Sequence, residues 1–313
     1  MFSVIFPGQG SQIVGMGKEL HDKFDLVKRL FDEADNKLNY KISKIILEGP
    51  ENELKLTKNT QPAILIVSYS IFKIIKNELN TNLNDVKFFA GHSLGEYSAL
   101  VASDSLNFLD AIYLLHERGK SMQEAVPENT GSMLAVMGMK INELEILLSK
   151  LNSDLGICEI ANDNSESQII ISGHKKAVSK IEEQLKNQKK RSIFLPVSAP
   201  FHCSLMKPAA EKMEKKINIT NFNNPKIDIV SNVTAKEVKE ISEIKKLLIK
   251  QIYSKVRWRE SVLYMIKNGV NEFIEIGPGK VLSGLVKRIN NKVLTKSINT
   301  LDEIKNFNDK SKK

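Results

Sequence analysis

Short apolar runs and helical periodicities alternate along most of the chain. FSVIFP at 2–7 is mostly apolar and predicts a first strand that ends in a glycine-rich turn, Gly8-Gln9-Gly10-Ser11-Gln12. GKELHDKFDLVKRLFDEAD at 17–35 carries the spacing of an amphipathic helix, and QPAILIVSYSIFKIIKNEL at 61–79 is long and apolar enough for a mostly buried one. VKFFAG at 86–91 predicts a second short buried strand, followed after Ser93 by a helix carrying GEYSALVASD. A further helix is predicted over 107–125, with Asn107 or Asp110 near its cap.

The middle of the chain changes period. Strands are predicted at 131–139, 156–163, 167–173 and 191–197, with helices at 141–151 and 174–188. The order β-α-β-β-α-β is that of a ferredoxin-like unit, so 128–197 is read as an inserted subdomain. The α/β alternation then returns: a strand within 226–235, helices at 242–256 and 258–269, a strand at 272–278 and a helix at 280–289. Residues 1–127 and 198–313 thus form one discontinuous α/β core, and the polar tail NFNDKSKK is expected to fray.

Composition narrows the class. The chain has 313 residues, 42% hydrophobic and 27% charged, ordinary for a soluble globular protein with a sizeable core. The opening MFSVIFPGQG has no basic n-region and its apolar run is too short to span a bilayer, so a cytoplasmic protein without a membrane segment is expected. The formal charge is +9, from scattered lysines with only 6% aromatics, which argues against nucleic acid and leaves a basic surface suited to an acidic protein partner. Cys158 and Cys203 lack metal spacing and read as cytosolic thiols; Cys203, next to His202, is read as a small buried side chain, with a thiol nucleophile as the alternative.

The chemistry gathers around Gly91-His92-Ser93-Leu94-Gly95. A G-x-S-x-G between a short apolar strand and a helix is the setting of a nucleophile elbow, where side chains two residues either side of the serine would collide with the neighbouring strand and helix. The helix N-terminus favours a developing negative charge, and the amide of Leu94 is one candidate oxyanion donor. The serine needs a base, and His202 in SAPFHCSLMKPA is the best placed of five histidines, in a proline-bearing loop after a strand. His92 is read as structural, and His21, His116 and His174 as solvent-facing. FPGQGSQ is either a plain strand-to-helix turn or, through the amide of Gln9, a second oxyanion donor. Arg118, beside a glycine on a helix, reads by itself as a surface residue, although a guanidinium is the group that grips a carboxylate bidentately. EIGPGK at 275–280 fits neither phosphate-binding glycine motif, and no nucleotide site is assigned.

Taken together and in order, FPGQGSQ, GHSLGEYSALVASD, RGKSMQEAVP, PFHCSLMKPA and EIGPGKVLSGL resemble the malonyl-CoA:acyl-carrier-protein transacylases of bacterial type II fatty-acid synthesis, to about residue 290. The resemblance implies an α/β-hydrolase-like core with a ferredoxin-like insertion. It also implies a serine acyltransferase moving malonyl from malonyl-CoA to the phosphopantetheine thiol of an acyl carrier protein, by way of a malonyl-Ser93 ester with His202 as base. On the same footing Gln9 and Leu94 supply backbone oxyanion donors and Arg118 meets the malonyl carboxylate. The Gln251 carbonyl orients His202, Asn162 lies near the pocket, and Phe201 before His202 follows the malonyl-selective pattern. No metal or resident cofactor is implied, and a monomer is expected. Two rival readings are a serine esterase or thioesterase with water as acceptor, and a non-catalytic or nucleic-acid-binding protein.

Overall fold

The computed structural model describes residues 1–78, 85–197 and 199–311. Ten strands lie among them: β1 (Phe2–Phe6), β2 (Val86–Gly91), β3 (Gly131–Met137), β4 (Cys158–Ser165), β5 (Gln168–His174), β6 (Arg191–Phe194), β7 (Asp228–Val230), β8 (Glu237–Val238), β9 (Glu272–Ile276) and β10 (Leu294–Ile298). They build a six-stranded sheet in the order β10-β9-β1-β2-β7-β8 and a four-stranded sheet in the order β4-β5-β3-β6.

The large sheet is parallel from β10 to β7, with β8 antiparallel at one edge. Parallel strands need both faces covered, which is why its central strands are apolar runs and not alternations. Successive side chains still go to opposite sides. Phe89 joins Phe6 and Phe72 on one face, with the Phe6 and Phe89 rings edge-on at 6.0 Å. Phe88 joins Ile5, Phe273 and Trp258 on the other. β1 and β2 are adjacent, so the glycine-rich turn after β1 and the serine turn after β2 emerge side by side. Ligands in open parallel sheets bind beyond the carboxyl ends of the strands.

The long apolar helix runs Thr57–Lys73 and passes into a π-helical turn at Ile74–Glu78; residue 79 of the expected span lies outside the described residues. Pro62 sits inside it. A proline has no N–H to donate to the carbonyl four residues back, here that of Lys58, and His116 Nδ1 approaches that oxygen at 3.2 Å.

In the small sheet every pairing is antiparallel. Helices Ile141–Ser149 and Lys175–Asn187 accompany it, and Leu134, Val136, Ile169, Ile171, Val178, Ile181 and Leu185 form its own core. It is tied to the large unit by backbone bonds from Asp163 N to Val256 O (2.9 Å) and from Val256 N to Ala161 O (2.8 Å). A salt bridge from Arg259 to the buried Asp163, at 2.8 Å, lies beside them.

Several local expectations change. The helix expected over 17–35 breaks at Phe24, whose backbone is extended, into Lys18–Lys23 and Asp25–Leu38. Short helices at Ile42–Glu48 and Glu51–Lys55 and strand β8 have no strong periodic signal in so few residues. The strand expected over 191–197 ends at Phe194. The polar tail does not fray where described: a helix runs Leu301–Ser311, with Leu301 and Ile304 buried against the main core, and residues 312 and 313 lie outside the described residues. Among the described residues no helix is long and apolar enough to cross a membrane.

Candidate active site

β2 stops at Gly91 and the helix Gly95–Ala102 begins four residues later. Ser93 between them has φ 53°, a left-handed conformation that strains an L-residue. Both flanking glycines are compelled. A Cβ on Gly91 would lie 1.9 Å from the Gly95 carbonyl carbon, and one on Gly95 would lie 2.3 Å from the Phe6 carbonyl oxygen of β1. The turn is pinned from a distant segment: Asn232 Oδ1 accepts the Ser93 amide at 2.7 Å while Asn232 Nδ2 donates to the Gly91 carbonyl at 2.7 Å.

His202 lies in the loop after Pro200, also left-handed at φ 60°, and its Nε2 is 2.8 Å from Ser93 Oγ. Its Nδ1 is 2.8 Å from the backbone carbonyl oxygen of Gln251, which fixes the N–H on Nδ1 and leaves Nε2 free to accept the serine proton. Burial, helped by the positive charge of Arg118, lowers the imidazole pKa to about 3, so the ring is neutral at neutral pH.

Arg118 is not on the surface. The helix Phe108–Gln123 approaches the start of Thr57–Lys73 so closely that a Cβ on Gly119 would lie 2.5 Å from the Thr57 carbonyl oxygen. That packing leaves Arg118 only 1% exposed. The glycine that suggested an exposed position is the reason for burial. Its Nη2 donates to Ser93 Oγ (3.1 Å) and Gln251 Oε1 (2.8 Å), and its Nη1 to Gln61 Oε1 (2.7 Å). All three partners are neutral oxygens, and its buried Nε has no partner among the described residues. Burial lowers its pKa from the usual value. Glu96 and the Tyr97 ring lie near it, but a buried cation whose hydrogen-bond acceptors are all neutral is suited to an incoming anion.

Ser93, His202, Arg118 and Gln61 line one cavity together with Gln9, His92, Leu94, Asn162, Phe201, Met122, Met133, Leu195 and Val197. The apolar portion comes from both units: Leu195 and Val197 follow β6, and Met133 belongs to β3. Gln9 lies in a turn where Ser11 Oγ donates to the Gly8 carbonyl at 2.8 Å. A Cβ on Gly8 would lie 2.7 Å from the His92 carbonyl oxygen, so the two glycine turns abut. Asn162 sits where β4 meets Val256.

The other candidates fall outside the relay. His92 Nε2 is bound to Asn164 Oδ1 at 2.9 Å and its ring tilts on Trp258. Burial raises the Cys203 thiol to about 11, and its Sγ donates to the Pro200 carbonyl; Cys158 is pushed up to about 12. Thiols so raised stay protonated at neutral pH. His21, His116 and His174 are each half-buried, partly open to solvent and partly held by neighbours. His174 Nδ1 accepts the Ile157 amide at 3.0 Å, and His116 serves the carbonyl freed by Pro62.

Sequence reasoning missed three residues: Gln61, Asn232 and Glu96. Each is a polar side chain at most 2% exposed. Glu96, in the mostly apolar GEYSALVA, carries a sequence signal, whereas Gln61 follows Lys58-Asn59-Thr60 and Asn232 follows Ser231, so neither stands out from its neighbours.

An elbow serine against a neutral imidazole, with a guanidinium beside it, defines a site for acyl-group chemistry. The family described as acyl transferase domain matches residues 3–301. A malonyl CoA-acyl carrier protein transacylase of Bacillus subtilis is 46% identical over 301 residues, 96% of this chain and 94% of that protein. The structure of an acyl-carrier-protein S-malonyltransferase from Bartonella henselae superposes with a TM-score of 0.96 at 41% identity, covering 100% of both chains. A malonyl-transacylase solved in complex with a holo type II PKS acyl-carrier protein superposes with a TM-score of 0.94 at 38% identity, covering 99% of each. The chain belongs to the acyl transferase family, among its malonyl CoA-acyl carrier protein transacylases.

Proposed function

We propose that the chain transfers malonyl from coenzyme A to the phosphopantetheine thiol of an acyl carrier protein through a malonyl ester on Ser93, and so supplies fatty-acid synthesis. The observation that carries this reading is the convergence of two unlike groups on one oxygen: His202 Nε2 at 2.8 Å and Arg118 Nη2 at 3.1 Å from Ser93 Oγ. A hydrolase for neutral esters needs the first and has no use for the second.

In the forward half-reaction His202 Nε2 takes the proton as Ser93 Oγ attacks the thioester carbonyl. The charge that develops on the carbonyl oxygen falls to the amides of Leu94 and Gln9, with the helix N-terminus behind them. The C–S bond breaks, the proton on His202 passes to the departing coenzyme A sulfur, and malonyl remains on Ser93. The Gln251 carbonyl stabilises the transient imidazolium through Nδ1–H, the part an acid side chain plays in many serine enzymes. Arg118 neutralises the malonyl carboxylate. In the second half-reaction His202 deprotonates the carrier thiol, which attacks the ester, and the proton returns to Ser93 Oγ as the C–O bond breaks. The coenzyme A thioester is a substrate here and free coenzyme A a product, and no resident cofactor or metal enters the scheme.

The finer architecture follows the same reading. Residues 1–127 and 198–313 form an α/β-hydrolase-like core and 128–197 a ferredoxin-like unit, a division supported by the strand order β4-β5-β3-β6. Asn162 and Phe201 bound the acyl pocket. The protein works in the cytoplasm as a monomer, and the acidic carrier docks on its basic surface.

The test is the intact mass of purified protein after incubation with malonyl-CoA. A stable malonyl adduct is expected, absent in Ser93→Ala and discharged by holo carrier protein. Free malonate released without an adduct would sink the transferase reading in favour of a thioesterase.

A further inference from the structure

Beneath the elbow lies a carboxylate that the transfer chemistry leaves unused. Glu96 is in the first turn of Gly95–Ala102, a helix whose residues are all buried, and is 2% exposed. Its Oε2 accepts two hydrogen bonds, from the Asn232 amide at 3.0 Å and from Gln251 Nε2 at 2.8 Å. Both donors are residues that touch Ser93: Asn232 Oδ1 receives its amide, and Gln251 Nε2 also donates to its carbonyl at 3.0 Å.

The bond to Gln251 decides an orientation. A side-chain amide has a donor end and an acceptor end of nearly the same shape. With its nitrogen on Glu96 and the Ser93 carbonyl, the Gln251 amide turns its oxygen to Arg118 Nη2 at 2.8 Å. Reversed, it would set N–H against guanidinium N–H and oxygen against the carboxylate and the serine carbonyl. Each of those contacts pairs like with like, in a buried site where an unmet polar group is expensive. Glu96 Oε2, together with the Ser93 carbonyl and the Arg118 guanidinium, therefore holds the amide in one orientation.

We propose that Glu96 is a positioning residue for acyl selectivity: by fixing the Gln251 amide it aims the Arg118 guanidinium at the place where the acyl carboxylate sits. The inference rests on the reading of Arg118 given above. A merely structural carboxylate would, when removed, slow all acyl groups alike. A positioning one changes the ratio between an acyl group that carries a carboxylate and one that does not.

The experiment compares kcat/KM for malonyl-CoA and acetyl-CoA, with holo carrier protein as acceptor, in the unaltered enzyme, Arg118→Ala, Glu96→Ala, Glu96→Asp and Glu96→Gln. Aspartate keeps the charge but is one methylene too short to reach Gln251. Glutamine can still turn an oxygen to both donors. The malonyl-to-acetyl ratio is expected to fall about tenfold in the Ala and Asp variants, the scale of one hydrogen bond to a charged group, and to stay within about threefold in Glu96→Gln. If Glu96→Ala does not fold, the Asp and Gln variants decide alone. If Arg118→Ala leaves the ratio unchanged, the carboxylate-binding reading of Arg118 has failed and this inference falls with it. If Arg118→Ala collapses the ratio while folded Glu96→Ala or Glu96→Asp preserves it, the positioning role of Glu96 is overturned.

Discussion

Asn232 Oδ1 receives the Ser93 amide at 2.7 Å, so the strained turn that presents the serine is held by a residue 139 positions further along the chain. Asn232 Nδ2 closes the grip on the Gly91 carbonyl. Replacing Asn232 with Ala leaves a buried amide and a buried carbonyl without partners, at about 1–3 kcal/mol for each group left unmet. Urea unfolding of Asn232→Ala is expected to show a matching loss. Malonyl adduct formation is expected to fall further than the loss of folded protein explains, because the Ser93 backbone is no longer fixed.

The glycines divide into two kinds. Gly91→Ala forces a Cβ to within 1.9 Å of the Gly95 carbonyl carbon, and the expected outcome is loss of soluble folded protein or of several kcal/mol of stability. Gly284, in the helix Val281–Ile289, has nothing within 4 Å of such a Cβ. Gly284→Ala should raise stability by about 0.5–1 kcal/mol through helix propensity. Thermal unfolding of the two variants side by side tests both; a neutral Gly91→Ala would remove the steric account of the elbow.

Two buried groups pull the pH dependence of stability in opposite directions. His202 titrates near 3 when folded, below its ordinary 6.5, because burial penalises the charged ring. The unfolded chain thus binds the extra proton, and this contribution is complete above about 6.5 and lost as pH falls towards 3. Glu96 titrates near 7, above its ordinary 4.5, again chiefly through burial. Its contribution is complete below about 4.5 and lost as pH rises through 7, amounting to about 3 kcal/mol. Glu96→Gln carries no such proton. Its stability relative to the parent should therefore rise between pH 5 and pH 8, which chemical denaturation at several pH values would show; a flat difference would contradict the burial account of Glu96.

Arg259→Ala removes the partner of Asp163, which is 1% exposed. Arg259 is itself 21% exposed, so the loss is smaller than for a fully buried pair and is expected at about 1–3 kcal/mol, the cost of a buried acceptor left unmet. Asp163 lies next to Asn162 and to the Val256 bridge, so the same variant should loosen the small unit. Amide exchange in β4 is the measurement, and protection there is expected to drop before that in β1 and β2.

The formal charge of +9 predicts a difference between half-reactions. Salt is expected to slow discharge onto an acidic carrier protein more than loading from malonyl-CoA, since steering between two macromolecules is screened over a Debye length. Equal salt sensitivity of both steps would count against electrostatic docking.

Much of this was legible in the chain because the signals are local. The elbow is spelled out by Gly91, Ser93 and Gly95 between an apolar strand and a helix. His202 announces itself as a histidine in a proline-bearing loop. The order of elements across 131–188 is carried by changes of period. What stayed hidden depends on packing between distant segments. Arg118 beside Gly119 reads as surface until the Thr57 carbonyl is brought against that glycine. Gln61 and Asn232 have no partners near them in sequence. Helix Leu301–Ser311 is polar enough to look unstructured, and it is held by a few buried contacts such as Leu301 and Ile304.

Gln251 gives the site an asymmetry. Its backbone carbonyl steadies the imidazole, and every amino acid carries that oxygen; its side chain steadies the guanidinium, and few amino acids could replace it. A substitution at 251 therefore spares the oxygen that steadies the imidazole but withdraws the amide that Arg118 and the Ser93 carbonyl share, so its cost falls on the guanidinium and the elbow together and not on the base.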